Sequence, residues 1–378
     1  MMKLIFNCLA LLLCISFVAK ANSGTDHKST KKIQKAYDMP ANGYLEVFNK
    51  YGQVVISTWE KDSVQVNITI TGFGKDEEDA QKMLDRVDID FNKTGQYLTM
   101  ETLLDRKSGF FKEVWNNIND YSKTILSKNK LEIDYEIFMP ATMHLELDNK
   151  FGDVYLQELS GQCDIKIMHG NLRANRINAY SQIDIGYGDI RIKEFKKGRL
   201  TLKSVEGEIK KLGQVDLQSS SSALIIEEAE NIIIDSRSDR KLVFQNLNSI
   251  KGKSTFSEIE IEELQKTADL NLTYGYMSIK SIPFSFNKIN VESRYTDINL
   301  AFYPNSYLKI DITGREEDIR LPKENAKTKT DYLDEKKRDV RITGEIGDKS
   351  NYPGELFIKS AGGEINLSLS SLKQSANN

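Results

Sequence analysis

Six acidic residues recur at one phase of a repeating pattern: Asp153, Asp189, Glu208, Glu258, Asp297 and Glu364. Carboxylates gathered at that phase could hold Ca2+, or act as the paired acids that glycosidases place about 5–10 Å apart. Like charges stacked on one another repel unless something is interleaved. Asn171, Ala223, Lys241 and Tyr276 take the same phase in other copies. Aspartate just after a corner is also ordinary turn chemistry, because its side chain accepts nearby backbone N–H groups. The sequence favours that turn role and assigns no metal and no catalytic residue.

Other chemistry is sparse. No two of His27, His144 and His169 have metal-ligand spacing, and the chain has neither Cys-x-x-Cys nor His-Glu-x-x-His. "GFGKDE" from Gly72 and "GYGDIR" from Gly186 lack the third glycine of a dinucleotide loop, so no cofactor is expected. Cys163 sits in the alternating stretch "CDIKI", which suits an inert buried thiol. The expectation is a protein that is not an enzyme.

The elements that would position these residues repeat. The segment x-Φ-x-Φ-x-x-Φ, with Φ apolar, fits "QVVISTW" (53–59), "DVYLQEL" (153–159), "NLRANRI" (171–177) and "DIRIKEF" (189–195). A degenerate copy starts at Glu208, and others start at 223, 241, 258, 276, 297 and 364. From 153 to 297 the steps are 15–21 residues. A second alternating pair precedes each corner, as Leu45 and Val47 precede Gly52, and Cys163 and Ile165 precede Gly170. Each period therefore holds two strands with one face in and one out.

A unit of about 18 residues buries a face only by stacking on its copies. The expected fold is all-β: a right-handed parallel β-solenoid with coils of about 18 residues. Glycines 52, 152, 170, 188, 207, 275 and 363 are expected at one corner, where positive φ is cheap. A β-sandwich is the alternative. It would show more hairpin signals like Asn42-Gly43, and few are present.

Three regions depart from the period. "KDEEDAQKMLDRV" (75–87) predicts a short amphipathic helix, acidic at its start and with Ala80, Met83, Leu84 and Val87 on one side. Residues 105–130 form an insert in which Phe111, Val114, Trp115, Ile118 and Ile125 share a helical stripe, with Phe110 and Tyr121 beside it. That insert either caps an open end of the coils or offers an aromatic contact to a partner. On the second reading Phe110, Phe111, Val114, Trp115, Ile118 and Tyr121 are the candidate partner-binding residues. Residues 322–354 are polar and charged, as expected of a solvated loop.

The chain has 378 residues, 39% hydrophobic and 28% charged, with formal net charge -3. "MMKLIFNCLALLLCISFVAKA" has the anatomy of a signal peptide cleaved after Ala21. Leu13 precedes Cys14 where lipidation favours a small residue. Cleavage would remove Lys3 and Lys20, taking the charge from -3 to -5, and would leave Cys163 as the single cysteine. No clustered basic face points to nucleic acid. The expected divisions are 1–21 as signal, 22–141 as an N-terminal β-rich region, and 142–372 as the solenoid.

The signal, "NKYGQVVISTWEKDSVQVNITITG", "DEEDAQKMLDRVDIDF" and the "YGDI" corners resemble a family of exported bacterial proteins known as putative adhesins, common in Bacteroidetes. The resemblance implies a β-solenoid in the periplasm, on the outer-membrane surface or secreted, with no established enzymology. The expected function is binding of an envelope protein, a polysaccharide or another cell-surface component. A polysaccharide-active enzyme on the same scaffold and a self-assembling structural protein are the alternatives.

Overall fold

A computed structural model describes residues 27–105, 130–323, 325–336 and 338–369. These residues are nearly all β, in one large, mostly parallel and unclosed sheet of 21 strands. Its body is built by strands that pair in sequence order. Cys163–Met168 pairs in parallel with His144–Lys150 on one side and with Leu172–Ser220 on the other. Ala223–Arg237, Lys241–Thr255, Glu258–Ile282 and Lys288–Phe302 follow in turn.

Alternation fixes this register. Leu145 pairs with Cys163, and Ile165 with Ile183. Val215 pairs with Ile232, Ile232 with Ile250, Ile250 with Ala268, and Ala268 with Ile289. All of these residues are buried, in a single continuous core. A slip of one residue would turn each apolar set to water, so the pattern tolerates one register.

The opening copy of the repeat joins the stack out of sequence order. Tyr44–Lys50 lies between His144–Lys150 and Tyr97–Leu104, parallel to both. Thus "NKYG" and "NKFG", a hundred residues apart, are adjacent rungs. The chain between them leaves as Ser63–Gly74, which is antiparallel to both His27–Asp38 and Leu131–Pro140. The other end mirrors this arrangement. Gly354–Ala361 inserts between Lys288–Phe302 and Tyr307–Arg315.

The helix spans Glu77–Leu84. Asp76 caps it by accepting the Asp79 N–H at 2.7 Å, and Glu77, Glu78 and Asp79 sit at its positive end. Ala80 and Leu84 are buried, while Val87 begins the next strand. The polar stretch expected as a solvated loop instead contains a hairpin. Ala326–Tyr332 pairs with Asp339–Gly347, which pairs with Tyr307–Arg315, all antiparallel. Val340, Ile342 and Ile346 alternate through that stretch and are buried, which pulls the charged sequence into the sheet.

The corner differs from the sequence reading in one respect. At five of the expected corners the left-handed residue is the one before the glycine, Tyr51, Phe151, His169, Tyr187 and Tyr274, with φ between 50° and 66°, whereas Gly363 itself has positive φ, at 99°. The glycines are required for another reason. A Cβ on Gly152 would lie 1.9 Å from the Gly52 carbonyl oxygen, and one on Gly170 would lie 2.0 Å from that of Gly152. Gly207 does not belong to this corner. Its would-be Cβ meets Ile190, and Glu206 rather than Glu208 is in register with Ala223.

Candidate functional site

A left-handed backbone turns the side chain outward, and stacked corners place these side chains one above another. Strand spacing of about 4.8 Å suits ring on ring. The first run is Tyr51, Phe151, His169 and Tyr187, with ring centroids 5.6, 5.2 and 4.9 Å apart and planes within 16° of parallel. Then come Ser204, Ser221 and Ser238, also at positive φ. The second run is Phe256, Tyr274 and Tyr295, at 5.0 and 5.1 Å with planes within 11°. Gly362 follows.

Non-glycine residues at positive φ cost about 1–2 kcal/mol each. The corner N–H groups help hold them there. Phe151, His169, Ser238 and Phe256 each donate to a carbonyl of the next parallel strand segment, at 2.8–2.9 Å. Stacking adds about 0.5–1.5 kcal/mol per ring pair. Residues of many types could make that turn, yet seven of these positions hold rings.

Exposure rises along the column. Tyr51 is 4% exposed, whereas Phe256, Tyr274 and Tyr295 are 60%, 45% and 62% exposed. In the second run Tyr274 is sandwiched between Phe256 and Tyr295, whose outer faces meet no further ring of the column. The rung before Phe256 is Ser238, too short to cover a ring. Beyond Tyr295 is Gly362, where a Cβ would touch the ring edge atoms Cδ1 and Cε1 at 3.2 and 3.4 Å. Tyr187, 44% exposed, faces Ser204 and is approached by the Lys203 ammonium at 5.9 Å. The second run therefore offers flat apolar faces at its ends, and a three-serine gap separates it from Tyr187. From Tyr187 to Phe256 is four strand steps, about 19 Å.

Beneath the serines, the buried carboxylate of Asp239 fixes the backbone. It accepts from Ser219 Oγ at 2.5 Å, Ser236 Oγ at 2.7 Å and the Ser222 N–H at 2.8 Å. Ser257 Oγ accepts the Asp239 N–H at 3.0 Å. A buried carboxylate with three donors stiffens its surroundings. Sequence reading missed this cluster, because Asp239 replaces the corner glycine of other coils.

The acidic residues have structural partners. Asp153 Oδ1 accepts the Asn171 N–H at 3.0 Å, Asn171 Oδ1 that of Asp189 at 2.8 Å, and Asp297 Oδ1 that of Glu364 at 2.9 Å. Each of these side chains thus accepts a backbone N–H at the start of the adjacent strand segment. Glu258 pairs with Lys241 at 3.6 Å and Glu364 with Arg320 at 3.5 Å. Among the described residues, no three His, Cys, Asp or Glu side chains converge to hold a metal ion.

His144 stacks on Tyr44 at 4.5 Å, and Tyr44 stacks on Tyr97 at 4.6 Å. His169 belongs to the corner column, while His27 begins an exposed strand. Burial pushes the Cys163 thiol up to about 12. Phe110, Phe111, Val114, Trp115, Ile118 and Tyr121 lie outside the described residues.

No family model matches the chain, and no curated protein matches it. Some solved structures are weakly similar. A putative cell adhesion protein from Clostridium sporogenes aligns over 90% of this chain and 99% of its own, at 10% identity and TM-score 0.19. A putative adhesin from Parabacteroides distasonis aligns over 74% of this chain and 98% of its own, at 12% identity and TM-score 0.28. A putative lipid binding protein from the same organism aligns over 71% of this chain and 96% of its own, at 9% identity and TM-score 0.29. No helix among the described residues is long and apolar enough to cross a membrane.

Proposed function

We propose that the protein is an exported, non-catalytic β-solenoid that binds a polysaccharide of the envelope or the extracellular space through its ring corner. The 18-residue step from Leu145 to Cys163 and from Ile165 to Ile183 supports coils of about that length, and the general preference of parallel crossovers is for a right-handed winding. The observation that carries the reading is the exposed run Phe256–Tyr274–Tyr295 with its open end faces. A pyranose ring presents a patch of C–H bonds, slightly positive and apolar. It suits the negative face of an aromatic ring, and stacking removes apolar surface of both from water. Hydroxyls at the edge of such a sugar can reach Ser221 and Ser238.

The rings are held by the sheet, so little conformational entropy is lost when a ligand docks. Repetition along the axis lets weak contacts add, which fits a polymer better than a small molecule. The reading is tested by presenting soluble and insoluble polysaccharides to the purified mature protein, with Phe256→Ser and Tyr295→Ser beside wild type. Binding by wild type, weakened at least about tenfold in the variants, is the expected result. Three outcomes would overturn it: no glycan retained, release of new sugar ends, or association only between copies of the chain.

A further inference from the structure

A second surface shares the coils of the first ring run. Four residues after Phe151, His169 and Tyr187 come Tyr155, Arg173 and Arg191, which form one outward column on the next sheet face. Lys193 and Lys210 stand beside them. Together they line a shallow trough of about 420 Å³, with Glu208 at its rim. Arg173, Arg191 and Lys193 thus meet beside Lys210, which is already paired with Glu227, and Glu208, on a chain whose overall charge is negative.

Neighbouring cations on the same faces are neutralised. Arg176 pairs with Glu158 at 3.1 Å and Glu194 at 2.8 Å, Lys211 with Glu228 at 2.8 Å, and Lys210 with Glu227 at 3.4 Å. Among the described residues, no ion pair joins Arg173, Arg191 or Lys193 to a carboxylate. Arg173 lies 5.6 Å from the Tyr155 ring centre, which orients its guanidinium across the trough. Asp189 lies two residues before Arg191, and Glu208 lines the trough beside the row.

We infer that this trough binds the carboxylate groups of a linear acidic glycan, a class of ligand that rests on the glycan reading above. Arginines one strand step apart, about 4.8 Å, can each fork onto a carboxylate. Lys193, two residues along the strand, adds a point charge that tolerates variation in sugar geometry. A chain with one acid per sugar meets this row repeatedly, whereas an isolated phosphate meets it once. The ring run Phe151–His169–Tyr187 edges the same coils, so sugar and acid would be contacted together.

The test is calorimetric titration of the full mature protein with a polygalacturonate oligosaccharide, its methyl-esterified neutral counterpart and inorganic phosphate, at low and high salt. Arg191→Ser/Lys193→Ser is the loss variant, and Glu208→Gln is a variant of opposite sign. The acidic oligosaccharide should bind wild type at least about tenfold more tightly than its ester, with affinity falling as salt rises. The double variant should erase that preference, and Glu208→Gln should strengthen it. Equal binding of acid and ester, retention of the preference in the double variant, or phosphate binding as well as the oligosaccharide would overturn the inference. Retained neutral-glycan binding that Phe256→Ser weakens would leave the ring-corner reading standing in that case. Loss of both would sink both.

Discussion

The side-chain amide of Asn49 donates to the side-chain oxygen of Asn149 at 3.1 Å, across 100 residues of chain. Asn149 donates in turn to the carbonyls of Gly152 at 2.8 Å and Gly52 at 3.2 Å, while Thr102 donates to Asn49 at 3.0 Å. The repeated Asn-Lys-aromatic-Gly words are thus two rungs of one internal ladder. The asparagine satisfies the corner carbonyls from inside, and the rings of Tyr51 and Phe151 stack on each other at 5.6 Å.

Asn149→Ala should leave the Gly152 carbonyl without its side-chain donor and the Gly52 carbonyl with Asn49 alone, at 3.3 Å. A loss of about 2–3 kcal/mol is expected, read as a lower urea midpoint with an unchanged slope. A midpoint within experimental scatter of wild type would show that the ladder contributes no stability.

Gly152→Ala and Gly186→Ala separate backbone contact from side-chain contact. The first would place a Cβ 1.9 Å from a carbonyl oxygen held in the sheet, so a loss of at least about 3 kcal/mol is expected. The second would meet the Met168 sulfur at 2.7 Å, at the far end of a flexible side chain, and should cost far less. Similar melting temperatures for the two variants would contradict the stacked-corner geometry.

Cys163 is buried, and its thiol is pushed up to about 12 by burial. Alkylation at mildly alkaline pH should be negligible in the folded protein and rapid in denaturant. Rapid labelling of native protein would show that the strand Cys163–Met168 opens readily.

Arg341 forks onto Asp311 at 2.9 and 2.7 Å and holds that carboxyl below the usual aspartate range. The folded-state value is depressed, so the stability this pair gives is present above the unfolded aspartate value and is lost as pH falls through the lower, folded one. Asp311→Asn should therefore lower stability slightly at neutral pH. The gap from wild type should close in strong acid, as thermal melts across pH would record. A gap that widens on acidification would contradict the pairing.

Much of this was legible in the sequence, because burial on one face leaves a period of two and stacking leaves a period near 18. Copies at Gln53 and Asp153 could be matched by eye although the chain departs between them. The corner glycines were visible, but their cause was not. The sequence cannot show that Gly152 lies against Gly52, or that the left-handed turn falls on Phe151. Gly207 misled for that reason, being a close-contact glycine in a strand column.

The ring column left a signal that can be found in retrospect: Tyr-Gly, Phe-Gly, His-Gly, Tyr-Gly and Tyr-Gly at 51, 151, 169, 187 and 274. Phe256 and Tyr295 escape that pattern because Ser257 and Thr296 replace the glycine. The hairpin within 322–354 was hidden by its charge. Among its described residues the buried ones are Val340, Ile342 and Ile346, in a run of Lys, Arg, Asp and Glu.

The central claim is that the exposed rings of the second run contact sugar. The most direct test is near-ultraviolet difference spectroscopy of tyrosine during titration of wild type, Tyr295→Ser and Phe256→Ser with oligosaccharides from a glycan the protein retains. Saturable perturbation in wild type, reduced in Tyr295→Ser and shifted at least about tenfold to higher ligand concentration in both variants, is the expected result. Saturable glycan binding with identical affinity in all three proteins would place the ligand elsewhere and contradict the claim.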